Sequence, residues 1–580
     1  MILQALTEYY QALRERGQIT PPGWSRVKVS FALCIDADGA LERVLSLQEE
    51  MPEGKKAALR PRLMTLPAPV KRGSGISSNF LWDNSSYLLG MDGKGNPQRA
   101  KECFEACKIL HATILAGVDS PAAAALSAFF RTWEPEQAGE HPALAEYLKE
   151  ILSGANLVFR YCGEFVHTDP AICRAWDANY QQKSDGPEMV CLVTGEKGPV
   201  ENIHPAIKNV RGAQPSGAAL VSFNAPAFCS FGKEQNFNAP TGKYAAFAYT
   251  AALNHLLADR YHVYSMGDTT VVCWAKQGGS AYQNFLGWAC FGQELSYSAA
   301  DLQGILRKLC AGNSVEFEEE KLSPEMEFYI LGISPNAARL SVRFFLRNTF
   351  GAFLKNVQEH QRRLEIAKSS YDKFETLPFW KLLDETVNHN SREKSPAPNL
   401  SGELLRSVLN NTRYPATLLN GVTLRIRAER ELTRGKAAIL KAYYLKNPHP
   451  DVPKEVLHVS LNPDSTNVPY NLGRLFSVLE AIQSAANPGI NATIRDKYFS
   501  SASATPAIVF PVLLNLAQKH LKKMEVQLRV YYDKQLTDLL CKFPEGYPAR
   551  MNLPQQGAFQ LGYYHQTQAR YEKKEEKQNV

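Results

Sequence analysis

The sequence has no run of about 18 apolar residues, the length that a membrane-crossing helix requires. Its first segment, MILQALTEYYQALRERG, lacks the basic, apolar and small-residue succession of a secretory signal, so a cytoplasmic location is expected. The 11 cysteines are odd in number and scattered through apolar segments, which implies no disulfide framework. Cys103 and Cys107 stand one helical turn apart without a second pair to finish a zinc site, and read as small core-facing residues.

Catalytic signatures are missing too. There is no GxxxxGK[ST] loop, no dinucleotide fingerprint, no HExxH or GxSxG, and no acidic cluster at two-metal spacing. These absences argue against an NTPase, nuclease or hydrolase. No catalytic residue, cofactor or metal is expected. Charge of one sign is not in excess either: the net charge of +7 over 580 residues does not announce a polyanion partner, so local clusters carry the information.

What is present is ordinary globular material, 44% hydrophobic and 21% charged, in a chain longer than one core usually supports. An amphipathic helix opens it, and VKVSFALCID (27–36) and LERVLSLQ form a hairpin around Asp36–Gly39. Helices are expected over Asn96–Leu115, Pro121–Trp133 and 244–259, strands over 269–276, and a hairpin over Tyr329–Phe345. From Asn348 the texture becomes helical. The fold class is therefore α+β: a mixed α/β region with β-hairpins over 1–347, a helical region over 348–445, a Pro- and Asn-rich linker over 446–458, and a helical bundle over 459–580.

Two loops carry the chemistry. His204–Pro240 holds two Asn-Ala-Pro tripeptides and the polar cluster Lys233, Glu234, Gln235, Asn236 and Asn238 beside Phe231 and Phe237, preceded by Arg211 and Gln214. Amides with two donors and one acceptor suit the edges of bases, and equally suit capping and closing a well-ordered loop. PRLMTLPAPVKRGSGISSNFLWDNSSYLLG (61–90) offers Lys71 and Arg72 beside a Gly-Ser-Gly, with Asn79 and Asn84 around Trp82. These suit a phosphate backbone and a groove, or a capped surface turn. Arg339 and Arg343, four apart on a strand, are expected on one face. Arg427, Arg430, Arg434 and Lys441 are expected along one side of a helix, as phosphate contacts or as a solvated face.

Three blocks, GSGISSNFLWDNSSYLLG, CLVTGEKGPVENIHPAIKNVRGAQPSGAALVSFNAPAFCSFGKEQNFNAP and LGISPNAARLSVRFF, resemble in one order the large subunit of the type I-C CRISPR surveillance complex, Cascade. The resemblance implies a non-enzymatic role in RNA-guided DNA binding. It implies inspection of target duplex for a protospacer-adjacent motif, help in opening it into an R-loop with the displaced strand held on a basic surface, and recruitment of a helicase-nuclease. Partners implied are the CRISPR RNA, the subunit at the guide's 5′ end, backbone subunits and small-subunit copies. An internal translation start is also implied, placed here at Val459, whose product is the bundle. Phe231 and Phe237 are candidates for a DNA wedge, with core packing the expected role of both. The alternatives are a nucleic-acid-processing enzyme using His204 and Glu234 as acid and base, and a purely architectural subunit.

Overall fold

A computed structural model describes the chain apart from residues 54–55, 71–74, 94, 183–186, 278, 370–371, 398 and 579–580, and apart from the side chains of 51–53, 56–58, 181–182 and 572–578. Helices and strands divide it into two compact units. The first comprises Leu3–Pro205 with Val221–Ala252, the second Ala206–Leu220 with Leu253–Val580.

The first unit opens with α1 (Ile2–Glu15), whose buried Leu6, Tyr9, Tyr10 and Leu13 follow the helical repeat. The strand expected over 27–36 is two strands, β1 (Trp24–Val29) and β2 (Phe31–Ile35), parted at Ser30. The amides of Ser30 and Phe31 both point to the Asn156 carbonyl, at 3.0 and 3.4 Å, which turns the chain from one sheet into another. Among the described residues β1 pairs with β4 (Arg62–Pro67) alone, antiparallel. β2 pairs antiparallel with β3 (Leu41–Ser46) and parallel with β5 (Leu157–Tyr161).

The parallel pair needs a crossover, and α2 (Pro97–Leu115) and α3 (Pro121–Thr132) lie within it. Asn96 and Ser120 cap these helices, each followed by a first-turn proline. Every residue of β2 is buried because both faces are covered: Phe31, Leu33 and Ile35 join the helices' core, Ala32 the smaller core of β1, β4 and Trp82.

The second unit is built on an antiparallel sheet of β6 (Tyr264–Met266), β7 (Thr269–Ala275), β8 (Glu327–Asn336) and β9 (Arg339–Thr349), in that order. One hydrophobic core runs from this sheet through α4 (Phe350–Leu364), α5 (Ala416–Glu429), α6 (Arg434–Lys446), α7 (Val468–Ala486) and α8 (Leu553–Gln578). The segments 348–445, 446–458 and 459–580 therefore lie in one unit, with Val452, Val456 and Leu457 buried in that core. α7 and α8 meet backbone to backbone: a Cβ on Gly473 would lie 1.8 Å from the Phe559 carbonyl oxygen, and one on Gly562 2.0 Å from that of Tyr470. Among the described residues no helix is long and apolar enough to cross a membrane.

Candidate nucleic-acid interface

In the first unit the 230–238 loop turns at Ser230–Lys233, where the Lys233 amide donates to the Ser230 carbonyl at 3.0 Å. Both central residues have positive φ, +53° at Phe231 and +67° at Gly232, as mirror-image turns require. Glycine takes that conformation freely; a bulky residue does so at a cost. Phe231 is nevertheless 100% exposed, which overturns the expectation that it packs in the core. A hydrophobic residue in a Gly- and polar-flanked turn has no apolar face to join. Phe237 is half-buried and Asn236 buried, while Lys233, Glu234 and Gln235 are exposed.

Asn238 fixes this loop. Its Oδ1 accepts the Ser230 amide at 2.8 Å, and its Nδ2 donates to the carbonyls of Lys233 at 3.0 Å and Gln235 at 2.9 Å. Both amide hydrogens are thus committed, leaving none for a base edge. Gln235, with φ +44°, keeps its side chain in solvent. Asn238→Ala is expected to leave global stability within about 2 kcal/mol while freeing the turn. Amide exchange at Ser230 reads this directly, and unchanged protection there would contradict it.

The 76–90 loop is assembled differently. Asn79 is 3% exposed, and its Oδ1 accepts the Val70 amide at 3.0 Å while its own amide donates to Asp83 at 3.0 Å. Asn84 caps the short helix Ser85–Leu88 by accepting the Ser86 amide at 3.0 Å. Both amides thus hold the loop's own backbone. Lys71 and Arg72 lie outside the described residues.

In the second unit, Ala206–Leu220 is a closed loop fastened to the β8–β9 hairpin. Ile207 and Ala218 bridge its base, and Ala219 bonds to Ala338 at 3.0 Å and Leu340 at 2.9 Å. Asn254 clamps the loop through the Ala206 carbonyl and the Lys208 amide. Gly217, at φ +96°, has its Cβ position only 2.8 Å from the Ile207 oxygen, so no larger residue fits. At the far end Arg211 and Gln214 are exposed, and Gly212 packs on Pro335 of the hairpin. Arg339 lies at the same hairpin end, directly after the tip.

Two arginine patterns are corrected. A bulge places Arg343 as the extra residue between Val342 and Phe344, breaking the alternation that would align it with Arg339. Arg343 instead pairs with Asp268 at 2.5 Å, and with Thr269 and Ser334 it holds that carboxyl below its usual range against the effect of burial. The single helical side expected for Arg427, Arg430, Arg434 and Lys441 does not form, because Arg430 adopts φ +56° and ends α5. Thr433 then caps α6. Arg427 donates to Gln556 at 2.7 Å, Arg430 to the Asp496 carbonyl, and Arg434 to Asp372 at 3.0 Å and the Glu375 carbonyl at 2.9 Å. Lys441 is 3% exposed and donates to the carbonyls of Arg363 and Glu365. Their donors stitch the helical region together.

His204 is buried, with Nδ1 2.7 Å from the Tyr249 hydroxyl, and burial lowers its pKa to about 4. Glu234, its expected partner in acid–base chemistry, is exposed on the 230–238 loop. Cys103 and Cys107 are buried on α2, and no group of three metal-ligating side chains occurs among the described residues.

No curated protein matches the chain. The profile of the CRISPR-associated protein family Cas_Csd1 matches residues 6–571, nearly the whole sequence and all three blocks quoted above. The chain belongs to the CRISPR-associated Cas_Csd1 family, the large subunits of type I-C Cascade complexes.

Proposed function

We propose that this large subunit recognises the protospacer-adjacent motif in target duplex DNA and starts its opening, acting as a binding subunit without catalysis of its own. The reading rests chiefly on the exposed, left-handed Phe231, followed by Gly232 and the polar cluster. A ring held in solvent by a stapled turn suits insertion between base pairs, where unstacking is offset by the contacts it permits. Gln235 is the base-reading candidate beside it, and Lys233 the phosphate anchor. Arg211 and Gln214 on the hairpin-bound loop and Arg339 on the hairpin itself form a second set.

Guide pairing then supplies sequence discrimination, and the opened duplex is passed to a helicase-nuclease, in the cytoplasm. Val459 as an internal start belongs to the same proposal; in the full chain its carbonyl accepts the Ala367 amide at 2.7 Å.

The test is Phe231→Ala in the assembled complex on motif-bearing duplex. Strand opening, followed by a fluorescent base analogue next to the motif, is expected to slow at least about fivefold, one lost stacking contact being worth about 1–3 kcal/mol. Protein stability should not fall. Opening at the wild-type rate would remove Phe231 from the mechanism, and equal opening on motif-free DNA by the parent complex would remove motif reading altogether.

A further inference from the structure

The first unit holds a cavity of about 490 Å3, lined by none of the residues assigned above to DNA. One wall is the antiparallel pair Glu188–Val190 and Lys197–Pro199 with the turn that joins its strands, and another is the start of the helix Lys243–Ala258. Pro21, Pro22 and Tyr180, with Arg14 of α1, complete it. The walls are already fixed. Cys191 Sγ accepts the Val193 and Thr194 amides of the turn at 3.4 and 3.5 Å. The Leu192 amide donates to the Pro240 carbonyl and the Glu201 amide to the Thr241 carbonyl, both at 2.9 Å, which ties the strand pair to the chain entering the helix.

The lining sorts into three chemistries. Arg14, Lys197 and Lys243 are its cations. Arg14 and Lys197 are exposed, and the Lys197–Glu188 contact, 3.8 Å between side chains that are both 71% exposed, is too weak to neutralise Lys197. Lys243 is held by the Tyr180 carbonyl, its Nζ 4.0 Å from the centre of the Tyr180 ring. Gly242, ahead of the helix, has no side chain to cap the first amides, which adds to the positive field. Two carboxylates, Asp177 and Glu196, are the second chemistry, and Asp177 is fixed by accepting the Trp24 indole N–H at 2.8 Å. The third is an aromatic surface: Tyr244 is 38% exposed, and Tyr10 meets it edge-on with ring centres 6.1 Å apart.

We infer that this cavity binds a free nucleoside 5′-phosphate, with its phosphate on Arg14, Lys197 and Lys243, its ribose hydroxyls on Asp177 and Glu196, and its base against Tyr244. Arginine and lysine take phosphate oxygens, a carboxylate accepts from ribose hydroxyls as it does in dinucleotide-binding folds, and a tyrosine ring stacks on any base. An inorganic anion would leave both carboxylates opposed to it. It would also leave most of the space empty, since cavities that enclose whole small molecules run from about 300 to 1,000 Å3.

Isothermal titration calorimetry of the full-length chain tests this with AMP as probe, and with adenosine and inorganic phosphate as its two halves. AMP is expected to bind with a Kd below about 1 mM, and each half at least about tenfold more weakly. Arg14→Gln/Lys197→Gln should weaken AMP at least about tenfold and leave adenosine as it was. Tyr244→Ala should weaken AMP at least about fivefold and leave inorganic phosphate as it was. Phe231→Ala should change neither, so this site and the reading of the 230–238 loop stand or fall separately. Absence of AMP binding by the parent chain up to about 1 mM would overturn the assignment without any variant having to fold. Unchanged AMP affinity in Arg14→Gln/Lys197→Gln, with native circular dichroism, would overturn it equally. A 5′-phosphorylated single strand that outcompetes AMP, with the competition lost in the double variant, would overturn the free nucleotide in favour of a strand end.

Discussion

Lowering the pH from 6.5 to 4 is expected to destabilise each of the two units and to unfold the second. Burial lowers His111 to about 4 and His360 to about 3, and His565 to about 3 with a further contribution from Lys441 and His458; Arg363 adds to the effect at His360. Each is neutral in the folded chain and ordinary, near 6.5, in the unfolded one. Between those values only the unfolded chain takes up the proton. The stability these sites leave intact is therefore complete above pH 6.5 and is lost progressively toward pH 4, about 3 kcal/mol per fully buried histidine. His360 and His565 share the second unit, where two such sites come to about 6 kcal/mol, within the stability of a typical domain, about 5–15 kcal/mol.

His111 shows the cost atom by atom. Its Nδ1 is 2.8 Å from the Cys107 carbonyl and therefore carries the proton, while Nε2 accepts the Leu81 amide at 2.9 Å. A second proton would face that amide. Tryptophan fluorescence against pH should show a transition well above pH 4. His111→Gln, which retains an acceptor and cannot titrate in this range, should move the midpoint down. Native fluorescence retained at pH 4 would refute the account.

The second large effect concerns glycine. Alanine in place of an exposed helical glycine usually stabilises by about 1 kcal/mol. At Gly473 and Gly562 the sign should reverse, because the new methyl would meet main-chain oxygens of the facing helix at 1.8 and 2.0 Å, and backbone cannot rotate aside. Each substitution forces α7 and α8 apart over their whole contact. Overpacking of this kind costs about 1–3 kcal/mol and more where nothing yields, so Gly473→Ala/Gly562→Ala is expected to lose at least about 3 kcal/mol. Urea melts of the full chain measure it; a stabilised double variant would show that the helices tolerate separation.

The sequence shows helix starts where a cap announces them. Asn96 before Pro97 and Ser120 before Pro121 are readable because one side chain satisfies orphan amides of its own helix. Thr433 is the same kind of signal, and taken alone it would have divided the long pattern that Arg430 breaks. The β8–β9 hairpin is legible through its alternation, but the bulge at Arg343 is not, since it depends on the register of the partner strand. Site chemistry divides likewise. Residue type marks Asn79, Asn84, Asn238 and Gln235 alike as readers or holders of polar edges, and only the positions of the Val70, Ser86 and Ser230 amides decide which are holders.

Phe231 also makes its turn a place where endurance and use diverge. A left-handed phenylalanine at full exposure gains nothing from burial and costs about 1 kcal/mol more than glycine in the same turn. On the proposed role of Phe231 in duplex opening, variants ranked by expression yield or melting temperature would favour Phe231→Gly and accumulate chains that fold better and open DNA worse. Engineering for robustness should hold this position fixed and seek its gains elsewhere.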